Sequence, residues 1–70
     1  MKINIYIPVI GPKEGIKGTW GTVNGASDPD EDVARRKASR HASVRSGDYE
    51  IKRVDIEEVD ADAWYAPNPY

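Results

Sequence analysis

The chain contains no cysteine, which excludes disulfide bonds as a support for the fold and fits a reducing compartment. With His41 as its single histidine, it is not expected to build a structural zinc site. No segment approaches the ~20 consecutive apolar residues of a membrane-spanning helix. The first ten residues alternate in polarity and lack the uninterrupted apolar stretch of a secretory signal. We therefore expect a soluble, cytoplasmic protein.

Seventy residues are enough for one domain at most. A chain of this length buries a modest core and has little stability to spare. Hydrophobic residues make up 39% and charged residues 31% of the chain, which is typical of a globular domain and not of a disordered one. We predict a single domain over residues 1–70, with an irregular tail over residues 66–70.

Three stretches have the pattern of β-strands. Apolar residues at alternate positions from Ile3 to Val9 predict a half-buried first strand. Pro8 lacks a backbone N–H, so this strand is expected at an edge of the sheet or to end near Pro8. Residues 16–24 predict a second strand that forms a hairpin with the first. Residues 49–59 predict a third strand, in which a phase change near Lys52 and Arg53 indicates a bulge.

One helix is predicted over about residues 28–46. Asp28 is a favourable N-cap, Pro29 suits the first helical position, and Glu31 follows the cap by three residues. Gly47 is suited to end the helix. Its apolar stripe is mostly alanine, which lets a helix lie close to a sheet. The order strand, strand, helix, strand predicts an α+β two-layer sandwich, with one helix on a small, mainly antiparallel sheet of three or four strands.

The charges are segregated along the chain. Between residues 33 and 46 there are five basic residues and no acid, and between residues 54 and 70 there are five acids and no base. The basic residues are Arg35, Arg36, Lys37, Arg40 and Arg45; the acids are Asp55, Glu57, Glu58, Asp60 and Asp62. Such segregation concerns surfaces and partners and not the fold.

Each charged set has two readings. Alternate positions of an extended segment lie roughly 6–7 Å apart, close to the phosphate spacing of a nucleic-acid strand. The acids could therefore occupy a basic groove built for DNA or RNA, or simply form a solubilising edge that blocks strand pairing. Arg35, Arg36 and Arg40 share one sector of the helix and could contact phosphates. Basic residues in such a run more commonly form a helix face that is exposed to solvent.

No motif that carries chemistry is complete. His41 has neither a cysteine nor an orienting acid beside it and is predicted to be structural. The acids from Asp28 to Asp32 resemble the opening of a calcium loop, but Val33 and Ser39 stand where that loop needs Gly and Glu. The glycines from Gly15 to Gly25 match no nucleotide-binding fingerprint. We expect no catalytic residue, metal or cofactor.

Two further possibilities stay open. Asp55, Glu57 and Glu58 could supply paired carboxylates, although 70 residues offer little room for a concave pocket. Trp64 and Tyr65 are candidate interface anchors if exposed, since Trp, Tyr and Arg dominate interface hot spots. For Trp64 we favour core packing.

Residues 23–56 combine a hairpin strand, a Ser27-Asp28-Pro29 cap opening an alanine-rich helix, and a following strand. In these features the chain resembles the anti-CRISPR proteins of phages, many of which are short, cysteine-poor, single-domain α+β proteins. The resemblance implies a phage-encoded, non-enzymatic inhibitor that binds an effector complex and masks its nucleic-acid site or blocks its movement. These proteins share no common motif, so no site residue is carried over.

Three functions follow as hypotheses. The first is a protein-binding inhibitor, acting as a DNA mimic, that presents its acids to the basic groove of a nucleic-acid-handling complex. In a variant of this hypothesis, Arg35, Arg36 and Arg40 grip an acidic surface. The second is a nucleic-acid-binding protein that uses the basic helix. The third is an accessory protein that forms a homodimer through an edge strand.

Overall fold

The computed structural model describes residues 1–23 and 25–65, which form an α+β domain. Three strands, β1 (Lys2–Pro12), β2 (Gly21–Thr22) and β3 (Tyr49–Asp60), form one antiparallel sheet in the order β2-β1-β3. Two helices, α1 (Glu31–Ser39) and α2 (Ala42–Arg45), lie between β2 and β3 in sequence and pack against the sheet. The predicted fold class and the antiparallel pairing of the first two strands are therefore confirmed. The predicted irregular tail, residues 66–70, lies outside the described residues. Within the described ranges, no helix is both long and apolar enough to cross a membrane.

The first strand lies in the centre of the sheet and continues past Pro8 to Pro12, so the expectation that it lies at an edge or ends near Pro8 is wrong. Pro8 is accommodated because its backbone faces β2 and not β3. Tyr6, two residues earlier, exchanges two hydrogen bonds with Asp28 on that same side, at 2.9 and 3.1 Å. Between this bridge and β2, the Pro8 carbonyl accepts a hydrogen bond from the Val23 N–H at 3.2 Å, and no N–H is needed from Pro8 itself.

Burial along β1 also differs from the simple alternation predicted. Pro8, Val9, Ile10 and Gly11 are all buried although consecutive side chains of a strand point to opposite faces. On one face of the sheet, Ile10 packs against Ala38 of α1. On the other face, the indole of Trp20 occupies the position into which a side chain on Gly11 would point. This end of the central strand is therefore covered on both faces.

The bulge predicted near Lys52 and Arg53 is confirmed. Val9 of β1 pairs with Arg53, but the next residue, Ile10, pairs with Ile51, which leaves Lys52 as the extra residue of β3. The extra residue is what shifts the apolar positions of β3 from one parity to the other.

The second strand is much shorter than the predicted residues 16–24 and contains two residues, Gly21 and Thr22. The chain leaves the sheet after β1 in an exposed loop, closed by a hydrogen bond from the Ile16 N–H to the Lys13 carbonyl at 2.9 Å. Gly18 passes so close to the Tyr49 hydroxyl that a side chain there would overlap it. Gly18 thus serves a close approach of the loop to β3, whereas Gly21 lies in β2 and pairs with Ile10.

The helix begins two residues later than the predicted Asp28 cap. Asp30 is the N-cap of α1, and its Oδ1 accepts hydrogen bonds from the N–H groups of Asp32 at 2.9 Å and Val33 at 3.4 Å. Asp28 instead forms a backbone bridge to Tyr6, and its Oδ1 accepts a hydrogen bond from the Asp30 N–H at 2.9 Å, so the chain enters the helix only after Pro29.

The predicted single helix over residues 28–46 is broken at Arg40 and His41. Arg40 and His41 donate their N–H groups to carbonyls three residues back, Lys37 and Ala38, at 3.1 and 3.0 Å. His41 then adopts an extended conformation with ψ of 138°, and its Nδ1 accepts a hydrogen bond from the Ser43 N–H at 3.2 Å. His41 is therefore the N-cap of α2 and does not lie mid-helix. The hydrogen bond from the Ser43 N–H gives the His41 side chain a structural role as a helix cap.

The core is small and relies on close approach of the helix to the sheet. Ile10, Val23, Ala26 and Ala38 are buried together, with Val44, Tyr49 and Ile51 packed against them. Of the predicted alanine stripe, Ala34 and Ala38 are fully buried. Since alanine buries little area, the domain depends strongly on each larger core residue.

Gly11→Ala is expected to destabilise the domain by about 1–3 kcal/mol, because the added methyl group would overlap the base of the Trp20 ring, including Cγ. Urea unfolding followed by circular dichroism measures the effect. Gly21→Ala is the matched control, because open space surrounds the position of its Cβ. In a Trp20→Ala background the Gly11→Ala penalty should largely disappear; an unchanged penalty would contradict the packing explanation.

Candidate protein-binding surface

Beyond β2 the sheet continues with β1 and β3 alone, in a two-stranded ribbon where Ile5 is still buried at 2% exposure and Tyr6 is bridged to Asp28. Here the first residues of β1, Lys2–Tyr6, pair with the last residues of β3, Ile56–Asp60. Ile56 is 60% exposed, in contrast to the half-buried Ile51 on the other side of the bulge. We call this segment, together with the turn at Ala61–Ala63 that follows it, the acidic ribbon.

The acids of β3 lie on both faces of the sheet. Asp55 and Glu57 stand at odd positions, and Glu58 and Asp60 at even positions, so the two pairs point to opposite faces. Both Glu57 and Glu58 are exposed. The five predicted acids therefore do not form one row on one surface but flank the strand from both sides.

Two of the five acids are engaged within the chain. Asp55 Oδ1 lies 2.9 Å from Arg53 Nε, and Asp60 Oδ1 lies 3.7 Å from the N-terminal amine. Asp60 Oδ1 also accepts a hydrogen bond from the Asp62 N–H at 3.1 Å, which orders the turn. Glu57, Glu58 and Asp62 form no ion pair with any described residue. These three carboxylates carry the negative charge that is available to a partner.

The basic helix offers less positive charge than its sequence indicates. Arg35 Nε pairs with Glu31 Oε2 at 2.9 Å across one helical turn. Lys37 Nζ pairs with Asp28 Oδ2 at 3.1 Å, where both side chains are mostly buried.

Of the three arginines predicted to act together, Arg36 and Arg40 remain exposed and unpaired among the described residues. They are four residues apart, so they are neighbours on one face of α1 and its C-cap. Arg45 lies apart from them in α2.

The predicted aromatic anchors differ in exposure. Tyr65 is 83% exposed, and Trp64 is half-buried, so Trp64 contributes to packing without being fully enclosed. Trp20 was expected as a large residue of a strand, but it lies in the exposed loop with 56% of its surface accessible. Its ring is held by the gap at Gly11, with Lys52 Nζ 5.8 Å from the ring centroid. In the sequence, the only sign of this contact is the missing side chain at Gly11, which leaves room for the Trp20 ring.

The third strand lies at an edge of the sheet. Because the sheet order is β2-β1-β3, no strand among the described residues pairs with the outer side of β3. This position is compatible with the interpretation of its acids as an edge that blocks strand pairing and with the hypothesis of a homodimer through an edge strand.

The surface of the described residues has several features that a partner could contact. No group of three or more His, Cys, Asp or Glu side chains among them is placed to hold a metal ion. What the surface does offer is exposed carboxylates on a narrow ribbon, an exposed Ile56 and an unpaired strand edge. Comparison with protein-family models, with curated proteins and with solved structures finds no match for this chain, so function has to be argued from this geometry.

Proposed function

We propose that the protein is a non-enzymatic, protein-binding inhibitor that inserts its acidic ribbon into a basic nucleic-acid groove of an effector complex. The observation that carries the proposal is the acidic ribbon, a two-stranded end of the sheet with exposed carboxylates on both faces. In keeping with the anti-CRISPR type, the proposal includes a phage origin, action in the host cytoplasm and a CRISPR effector complex as the target.

The shape of the ribbon supports insertion into a groove over docking on a flat surface. Glu57 and Glu58 are adjacent in sequence but point to opposite faces, so a flat basic surface could contact only one of them. A groove has basic residues on both walls and could contact both. Long-range attraction between the acids and such a groove would also speed association.

The state of the charges also supports the acids over the arginines as the site. Arg35 and Lys37 are paired within the chain, and α1 carries Glu31 and Asp32 in its first turn. Only Arg36 and Arg40 then remain as an exposed pair on that helix among the described residues, which is a small footprint for phosphate contacts. Direct nucleic-acid binding is therefore the second candidate.

The test is a gel-shift assay of target DNA with a purified, guide-loaded CRISPR effector complex, with and without the protein. Glu57→Gln/Glu58→Gln is expected to weaken inhibition by about tenfold or more, since it removes two exposed, unpaired charges from the ribbon. The matched control is Glu14→Gln/Asp48→Asn, which removes the same charge from exposed residues elsewhere and should leave inhibition unchanged.

Two outcomes would contradict the proposal. One is inhibition that is equally strong in the ribbon variant and the control variant. The other is a salt-sensitive shift of DNA or RNA by the protein alone that disappears in Arg36→Glu/Arg40→Glu; that result would establish direct nucleic-acid binding in its place.

A further inference from the structure

The backbone of β3 presents unpaired hydrogen-bonding groups along its outer side. Tyr6 faces the β2 side of β1, so the flanking residues Ile5 and Ile7 face β3. Their partners on β3 are Glu57 and Asp55. It follows that the even residues of this part of β3 direct their N–H and C=O groups away from the sheet: Val54, Ile56 and Glu58. None of these three N–H groups has a backbone partner among the described residues.

The side chains along this edge are not uniform. Arg53 lies at the beginning of the regular segment after the bulge, and the acids Glu57 and Glu58 lie near its end. Ile56 is 60% exposed next to the half-buried Val54 of the same face. Two copies of a strand that is basic at one end and acidic at the other have complementary charges when they lie antiparallel.

We propose that a second copy of this chain pairs antiparallel with β3 along its free edge, with Val54 opposite Ile56 of the second copy. Both are outward-facing residues, so the two symmetric Val54–Ile56 pairs exchange backbone hydrogen bonds and bury the exposed isoleucines. In the same register Arg53 lies opposite the second copy's Glu57, on the other face of the sheet. The interface thus contains two symmetric Arg53–Glu57 pairs.

Charge and the bulge together select this register. Sliding the copies apart by one step, so that Ile56 faces Ile56, places Asp55 opposite Glu57 twice and leaves Arg53 opposite the apolar Val59. Sliding them the other way places Val54 opposite Val54 and Arg53 opposite Asp55, but only residues 53–55 then pair before the bulge at Lys52 interrupts the ladder, against residues 53–57 in the proposed register. In the proposed register one unfavourable pair remains, Asp55 opposite Asp55 at the two-fold axis. Arg53, 2.9 Å from Asp55 within the chain, offsets that repulsion.

The pairing closes on itself. An antiparallel contact between identical edges has two-fold symmetry, so it produces a dimer and not a filament. The outer strand on each side of the resulting six-stranded sheet is β2, which has two residues. Long free edges are a liability in β-proteins, and the dimer covers the central part of the β3 edge, residues 53–57. Both proposals use Glu57: in the dimer it pairs with Arg53 of the second copy, and only the monomer presents it to a basic groove. The dimer is tested by sedimentation and the inhibitor by the gel-shift assay, so either can fail without the other.

Sedimentation equilibrium over a range of protein concentrations tests the dimer. Arg53→Glu and Glu57→Arg, each studied alone, should weaken dimerisation by about tenfold or more, because each turns both symmetric pairs into like-charge pairs. An equimolar mixture of the two variants should form a heterodimer, since every Glu then faces an Arg. The double variant R53E/E57R should dimerise like the original chain.

Arg36→Glu and Glu14→Arg are the matched controls, because they make the same charge changes at exposed positions away from β3 and should leave dimerisation intact. Circular dichroism confirms that each variant is folded; Arg53 and Asp55 are both about half exposed or more, so losing their ion pair is not expected to disturb the core. A chain that stays monomeric at millimolar concentration would overturn the proposal. So would a dimer whose strength is the same in all four single variants.

Discussion

Ala38→Glu is expected to abolish folding. Ala38 has no exposed surface and packs with Ile10, Val23 and Ala26. A glutamate there would need to enter a space filled by these side chains and lose the hydration of its carboxylate, at a cost of several kcal/mol. For 70 residues, 0.05–0.15 kcal/mol per residue gives a total stability of roughly 4–10 kcal/mol, so this one change consumes most or all of it.

Far-UV circular dichroism and the dispersion of amide signals in an NMR spectrum measure this outcome. Ser39→Glu is the matched control, because Ser39 is the next residue of α1 and is exposed. The control should fold and lose at most about 0.5 kcal/mol. If Ala38→Glu and Ser39→Glu unfold at the same urea concentration, α1 does not pack on the sheet through Ala38.

Ile10→Ala is expected to lower the free energy of unfolding by about 2–5 kcal/mol, the usual cost of deleting a large aliphatic side chain from a core. Ile10 is 6% exposed and belongs to the same buried cluster as Ala38. Because the cluster contains two alanines, few neighbouring side chains can move to fill the space that Ile10 leaves. Urea unfolding measures the shift of the midpoint.

Ile16→Ala provides the comparison, since Ile16 is the same residue type but 41% exposed in the loop after β1. Its cost should be well below 1 kcal/mol. Equal losses of stability in the two variants would contradict the assignment of Ile10 to the core and Ile16 to the surface.

The third strand shows how much local pattern can predict. Its apolar residues change parity between Ile51 and Val54, and a two-residue period can change parity only where the strand gains an unpaired residue. The bulge at Lys52 could therefore be predicted without knowing the partner strand. The alanine stripe of α1 was predictable for the same reason, because a helical period depends on neighbouring positions alone.

The position of β1 could not be predicted in this way. Pro8 usually marks an edge because it lacks an N–H, yet here the missing N–H falls between two short partners, β2 and the bridge at Asp28. That same bridge removes Asp28 from the helix and transfers the N-cap to Asp30. Both errors have one cause, a contact between Tyr6 and Asp28 that are far apart in sequence.

Some properties of the candidate site also followed from the sequence, whereas others depended on the tertiary structure. The sequence alone determined where the charges stand, that no disulfide can form within the chain, and that a bulged strand carries the acids. The tertiary structure decided which charges are available, because Arg35, Lys37, Asp55 and Asp60 find partners at specific distances. It also decided that β3 and not β1 lies at an edge of the sheet among the described residues, since strand order depends on which distant segments meet. Local patterns set the period and charge of each segment, whereas pairing between segments sets what remains for a partner to bind.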